Sequence, residues 1–175
     1  ANPTPARVLN LSLGGEGACS RAYQEAIDEI TARGVLVVVS AGNDGSLADQ
    51  PANCRGVVSV TGVRHVGTKV GFANLGSNVT LAAPGGNCVN VGAGQPCLYS
   101  LDTTTNLGVT TPEENGYTDR VGDFNVGTSF AAPIVSGIAA LMYSVNANLP
   151  PARLVQRLQA LRRQAVDHIG RDPGA

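Results

Sequence analysis

The sequence predicts an α/β protein of three layers, a mostly parallel sheet flanked by helices and incomplete on its N-terminal side. Three observations carry that expectation. Strand-like and helix-like segments alternate through the first half of the chain. The run VLVVVSAGN (35–43) is β-branched without polar alternation, as in a parallel strand buried on both faces. The chain also opens within a few residues of an apparent strand, RVLNLSL (7–13), an abrupt place for a domain to begin.

After that strand, CSRAYQEAIDEITARG reads as an amphipathic helix. Ser20 is its N-cap, Ala22, Ala26, Ile27 and Ile30 form the apolar stripe, and Gly34 is the stop. Strand, helix, strand in this order implies a right-handed crossover. GVVSVTGV (56–63) and NVTLAAPG (78–85) continue as strands. Residues 86–128 are rich in Gly, Asn, Thr and Pro and read as long loops. A helix from Ser129 to about Val145 is apolar all round and is expected to be central, with Pro133 in its first turn. A last helix opens at PPARLVQRLQALRR, with Leu154, Val155, Leu158 and Leu161 toward the core. Residues 167–175 read as a tail or the start of a linker.

The 175 residues are 43% hydrophobic and 14% charged, with Gly 22 and Pro 10, which suits one compact, turn-rich soluble domain. A net charge of -1 gives no general attraction to nucleic acid or anionic lipid, and neither is expected as a partner. No apolar stretch reads as long enough to cross a bilayer without interruption. Cys19, Cys54, Cys88 and Cys97 include no CxxC pair and no His at zinc-ligand spacing. Two disulfides in an oxidising, secreted compartment are favoured, paired Cys19–Cys54 and Cys88–Cys97; four buried free thiols are the alternative. Sequons at Asn10 and Asn78 fall in expected buried strands and are discounted.

Two residues stand out chemically. Ser129 lies at a helix N-terminus, near unpaired backbone N–H groups and the positive end of the helix dipole, with Gly127, Ala131 and Ala132 leaving room for a substrate. In isolation such a serine reads first as a helix cap. Asn43 falls just beyond a buried strand, where open α/β sheets bind ligands, and its amide can donate to an oxyanion. Asn43-Asp44-Gly45 also has the composition of a turn.

The segments GTSFAAPIVSG, VVVSAGNDG, LNLSLGG, QPANCRGVVSVTGV and FANLGSNVTLAAPG together resemble the subtilisin-like serine proteases (subtilases), in that family's order, from about residue 7 to residue 165. The resemblance implies a serine endopeptidase acting through an acyl-enzyme on Ser129, with the amide of Asn43 and the backbone N–H of Ser129 binding the oxyanion. It implies that Ser12, Leu13, Gly14 and Gly15 pair with extended substrate, and that Ser40, Ala41 and Gly42 wall the pocket for the residue before the scissile bond. Those small residues would permit a sizeable apolar or aromatic side chain. Phe130 stands where the family usually has Met, and Ile134 where it commonly has His.

The family's His-Gly-Thr and Asp-Ser/Thr-Gly segments, which supply the triad base and acid, precede the substrate-pairing strand, and this sequence starts after them. In RHVGTK, Val66 interrupts the histidine motif, so His65 reads as a loop residue. His168 reads as part of the terminal helix, and Asp102 in SLDTTTN lacks the motif glycine. Residues 1–175 are therefore expected to be the C-terminal part of a single catalytic domain. It would be inactive alone and partnered by an N-terminal segment of the same precursor, with protein or peptide as substrate. The alternative is a non-catalytic peptide-binding module or inactive fragment. No cofactor or metal is required; structural calcium is possible in the complete domain, and backbone carbonyls near 52–57 could form a weak cation site.

Overall fold

The structure, a computed structural model, describes residues 5–87, 101–108, 110–117 and 125–169. Strands β1 (Val8–Leu11), β2 (Leu36–Ser40), β3 (Val57–Val63) and β4 (Leu81–Pro84) form one sheet in the order β1-β2-β3-β4. All three pairings are parallel, with Val8 beside Leu36, Val37 beside Val57 and Val60 beside Leu81. Each observed strand is shorter than its sequence segment, because the flanking residues turn away to build loops at the strand ends.

β2 explains its own composition. Leu36 and Val38 face a cluster with Val58, Val60, Leu81 and Ala83. Val37 and Val39 face the opposite side, with Ala41, Ala48 and Ala52. Val37, Val38 and Val39 are each 0% exposed, so neither face can be polar. Each such burial stabilises the fold by about 1.5–3 kcal/mol.

Helix α1 (Arg21–Ala32) connects β1 to β2. The Ser20 hydroxyl accepts from the Tyr23 N–H at its start, and Gly34, at φ 79°, ends it in the left-handed region. Ile27 is its buried anchor. Cys19, one residue before the cap, is disulfide-bonded to Cys54, as expected. Cys88 and Cys97 lie outside the described residues. Asn10 and Asn78 are exposed rather than buried, because β1 is the end strand of the described sheet and Asn78 precedes β4.

Within 86–128, read as loop, the described residues include a short antiparallel ribbon of β5 (Thr104–Asn106) and β6 (Asn115–Tyr117). Three-residue strands leave no readable period. The Asn106 carboxamide holds their connection, accepting from the N–H groups of Gly108 and Glu113.

Helix α2 (Thr128–Val145) lies across the sheet and packs its small face, Ala131, Ala132, Val135 and Ala139, onto the cluster beneath, with Tyr143 at its far end. The expectation of a central helix is only half met. Ile138 and Leu141 are exposed, the latter 69%, because no described element covers that flank. By length and composition alone α2 could cross a membrane, at mean hydropathy 1.5 over 18 residues; its packing is that of a core helix. Pro133 lies inside α2 rather than in its first turn. Helix α3 (Pro151–Ile169) adds Leu154 and Leu158 to the same core; the side chain of Leu161 lies outside the described residues.

Candidate active site

Ser129 is the second residue of α2. The cap position belongs to Gly127, at φ 143°, with no side-chain cap bond, so the serine hydroxyl is not spent on capping. A glycine there suits both a backbone that L side chains rarely adopt and the closeness of Asn43, whose Nδ2 would lie 3.5 Å from an added Cβ. The Gly127 N–H donates to the Gly85 carbonyl, 2.9 Å, at the end of β4. This ties the start of α2 to the C-terminal edge of the sheet.

Asn43 lies beyond β2 at that same edge. Its Oδ1 accepts from the Thr128 N–H at 2.9 Å and from the Thr128 hydroxyl at 3.0 Å. With the oxygen held twice, the amide must present its two N–H donors the other way. Among the described residues no acceptor engages Asn43 Nδ2 or the Ser129 N–H. Two donors beside one serine hydroxyl can stabilise negative charge on an adjacent oxygen. Before Asn43, Gly42 adopts φ 108°, and an added Cβ would sit 2.3 Å from Asn74 Nδ2. Asn74 is fully buried. Its Oδ1 accepts from the N–H groups of Asp44 and Ser46, and its Nδ2 donates to Asp49 Oδ2 at 3.0 Å.

A second set of bonds reaches the serine from β1. Proline has no N–H, so Pro133 leaves the Ser129 carbonyl without its helical donor. The Ser12 hydroxyl donates to that carbonyl instead, at 2.8 Å. Ser12 in turn accepts from Asn10 Nδ2 at 2.9 Å, and Asn10 Oδ1 accepts from the Ser136 hydroxyl at 2.9 Å. The chain Ser136–Asn10–Ser12–Ser129 fastens α2 to β1.

A cavity of about 410 Å³ opens beside Ser129 and Asn43. Leu13, Gly14, Gly15, Ser40 and Gly42 line it, together with Glu16, Asp44 and Asp49. Ser12 and Ala41 do not. Ser12 points its hydroxyl at Ser129, and Ala41 is wholly buried in the core. The Gly15 N–H already donates to the Gln50 carbonyl at 3.0 Å. The Asp49 carboxyl is pushed above the ordinary carboxylate range, first by burial, then by a hydrogen bond and charge from Asp44 and by the charge of Glu16; the Asn74 bond pulls the other way. A neighbouring cavity of about 350 Å³ shares Asp49 but holds neither Ser129 nor Asn43. Among the described residues no three His, Cys, Asp or Glu side chains are grouped to hold a metal ion. In the 52–57 stretch, the Arg55 carbonyl accepts from Gln24 Nε2.

His65 sits in the turn after β3, His168 near the end of α3, and Asp102 before β5; neither His65 nor Asp102 lines the cavity. Sequence reasoning missed the roles of Thr128, Asn74 and the three carboxylates. Thr128 was visible within GTSFAAP as the neighbour of the serine. Asn74 carried no signal of its own, since its side-chain partners Asp44, Ser46 and Asp49 lie 30, 28 and 25 residues away in sequence.

The family model described as Peptidase_S8, the subtilase family, matches residues 1–169. The chain is 40% identical over 147 residues to an extracellular protease of Xanthomonas campestris, covering 83% of this chain and 22% of that one. It is 37% identical over 159 residues to an extracellular basic protease of Dichelobacter nodosus, covering 87% and 23%. Among solved structures, proteases from Pseudoalteromonas arctica superpose with a TM-score of 0.78 at 37% identity, over 91% of this chain and 45% of that one. A cold adapted subtilisin-like serine proteinase gives 0.68 at 27%, over 90% and 49%. The chain thus spans less than a quarter of these two curated relatives and less than half of these two solved chains. Matched along nearly all its length, with the same parallel sheet, the chain belongs to the subtilase family.

Proposed function

We propose that the chain supplies the nucleophile and the oxyanion site of a secreted serine endopeptidase. The Ser129 hydroxyl attacks the scissile carbonyl while a base takes its proton. The tetrahedral oxyanion is held by Asn43 Nδ2 and the Ser129 N–H, the amine leaves, and water releases the acyl group from Ser129. The observation that carries this reading is the doubly held Asn43 oxygen, which leaves both amide N–H donors free in a residue that lines one cavity with Ser129. Leu13, Gly14 and Gly15 border the cleft on the acyl side, where extended substrate can add as a strand. The base and its orienting acid come from a segment of the same precursor outside these 175 residues, since neither His65 nor Asp102 is at the cavity. Residues 1–175 are then the C-terminal part of one catalytic domain. The Cys19–Cys54 bridge and the extracellular relatives support secretion. The chemistry uses no cofactor; calcium, if bound in the complete domain, serves structure.

The test is fluorophosphonate labelling of the protein at its full encoded length, with the adduct mapped by mass. An adduct on Ser129, lost in Ser129→Ala, is expected. Asn43→Ala should lower kcat by about 10²–10³, a magnitude carried over from the corresponding subtilisin donor rather than derived from this geometry. A folded, full-length sample that takes no label would overturn the reading.

A further inference from the structure

We propose that the cavity beside Ser129 takes an arginine or lysine side chain, so that the enzyme cuts after basic residues. The inference rests on the endopeptidase reading and deepens it. The small walls seen in the sequence allowed a large apolar side chain; the charge of the cavity lining argues otherwise. Glu16, Asp44 and Asp49 all line it; among the described residues no basic side chain does, and Leu13 is its one large apolar residue.

Ser40 is a separate observation. It lines the same cavity while only 6% exposed, and its hydroxyl has no hydrogen-bond partner among the described residues. That oxygen is an acceptor which an incoming N–H can use. A guanidinium carries five such donors and an ammonium three, with the positive charge the carboxylates lack. An apolar side chain would instead desolvate those carboxylates without replacing their water. The three carboxylates are not grouped to hold a metal ion, so a long, flexible cation fits them better. Burial and the charges of Asp44 and Glu16 already push the Asp49 carboxyl upward, a crowding that a cation between them relieves.

The position of the cavity assigns the subsite. It opens onto both Ser129 and Asn43, so its occupant belongs to the residue whose carbonyl is attacked. Asp49 is the residue whose charge should matter most, because Asn74 fixes it and the cavity wall partly shields it.

The experiment compares peptide p-nitroanilides that differ only in the last residue, Arg, Lys, Phe or Leu, on the full-length protein. Fluorophosphonate labelling of the same sample reports separately whether Ser129 is active. The expected result is kcat/KM for Arg and Lys at least about 10-fold above Phe and Leu. Asp49→Asn, which keeps the shape and an acceptor for Asn74, should lower the Arg-to-Phe ratio about 10–100-fold, as befits one charged hydrogen bond. Asp44→Asn gives a second reading should the first variant fold poorly. Labelled enzyme that prefers Phe or Leu overturns the proposal and leaves the protease assignment standing. Absence of both label and turnover overturns both.

Discussion

At Pro133 the helix gives up one backbone hydrogen bond, and the carbonyl left over belongs to Ser129, which Ser12 then engages. Ser12→Ala should therefore cost about 0.5–1.5 kcal/mol in urea unfolding, the net range for a hydrogen bond that water can partly replace. In a Pro133→Ala background the new N–H can reach the same carbonyl, and the cost of Ser12→Ala should shrink; a double-mutant cycle measures the difference. The motif made Ser129 legible, yet the role of Ser12 was not, because a bond spanning 117 residues leaves no local pattern. Asp49 gives a second expectation. Its folded-state pKa lies above the ordinary value, so it favours the fold below the unfolded pKa, and that contribution is lost as pH rises through the folded value. Asp49→Asn should match the parent in acid and become the more stable toward neutral pH, as chemical denaturation at several pH values will show. Selectivity for Arg should fall in the parent as acid neutralises the same carboxyl.

Among the elements, β2 was the most legible: a run of valines without polar alternation has nowhere to go but between two layers. α1 was legible through its cap and its terminal glycine. α2 was legible as a helix, and its apolar circumference was not wrong, but sequence cannot tell which flank its own chain will cover. Ile134, Ile138, Leu141 and Val145 recur at helical spacing on the open side, Val145 being 89% exposed. An uncovered apolar stripe favours association. The 175-residue chain alone should self-associate as its concentration rises, and Leu141→Lys with Ile138→Glu should reduce this in sedimentation velocity without loss of helix by circular dichroism.

In the whole molecule, Asn43 and Thr128 meet across 85 residues of sequence, so the site exists only once the parallel sheet has formed. The order β1-β2-β3-β4 followed from short crossovers and was within reach of the sequence. The acidic cavity was not, since Glu16, Asp44 and Asp49 are unremarkable until Gly42 and Asn74 fold the loops onto each other. The Cys19–Cys54 bridge closes a separation of 35 residues. Its removal as Cys19→Ser with Cys54→Ser should lower stability by about 2–4 kcal/mol, read by denaturant titration. That bridge also pins the turn of residues 49–54, which carries Asp49 and holds Gly15 through the Gln50 carbonyl. Asn43, Thr128 and Ser129 are anchored elsewhere, by α2 and the sheet edge. On the proposed reading, a thiol-rich surrounding would relax the wall assigned to substrate choice while sparing Ser129 and Asn43, and a full-length enzyme stranded in such a place would first become indiscriminate and only later inert.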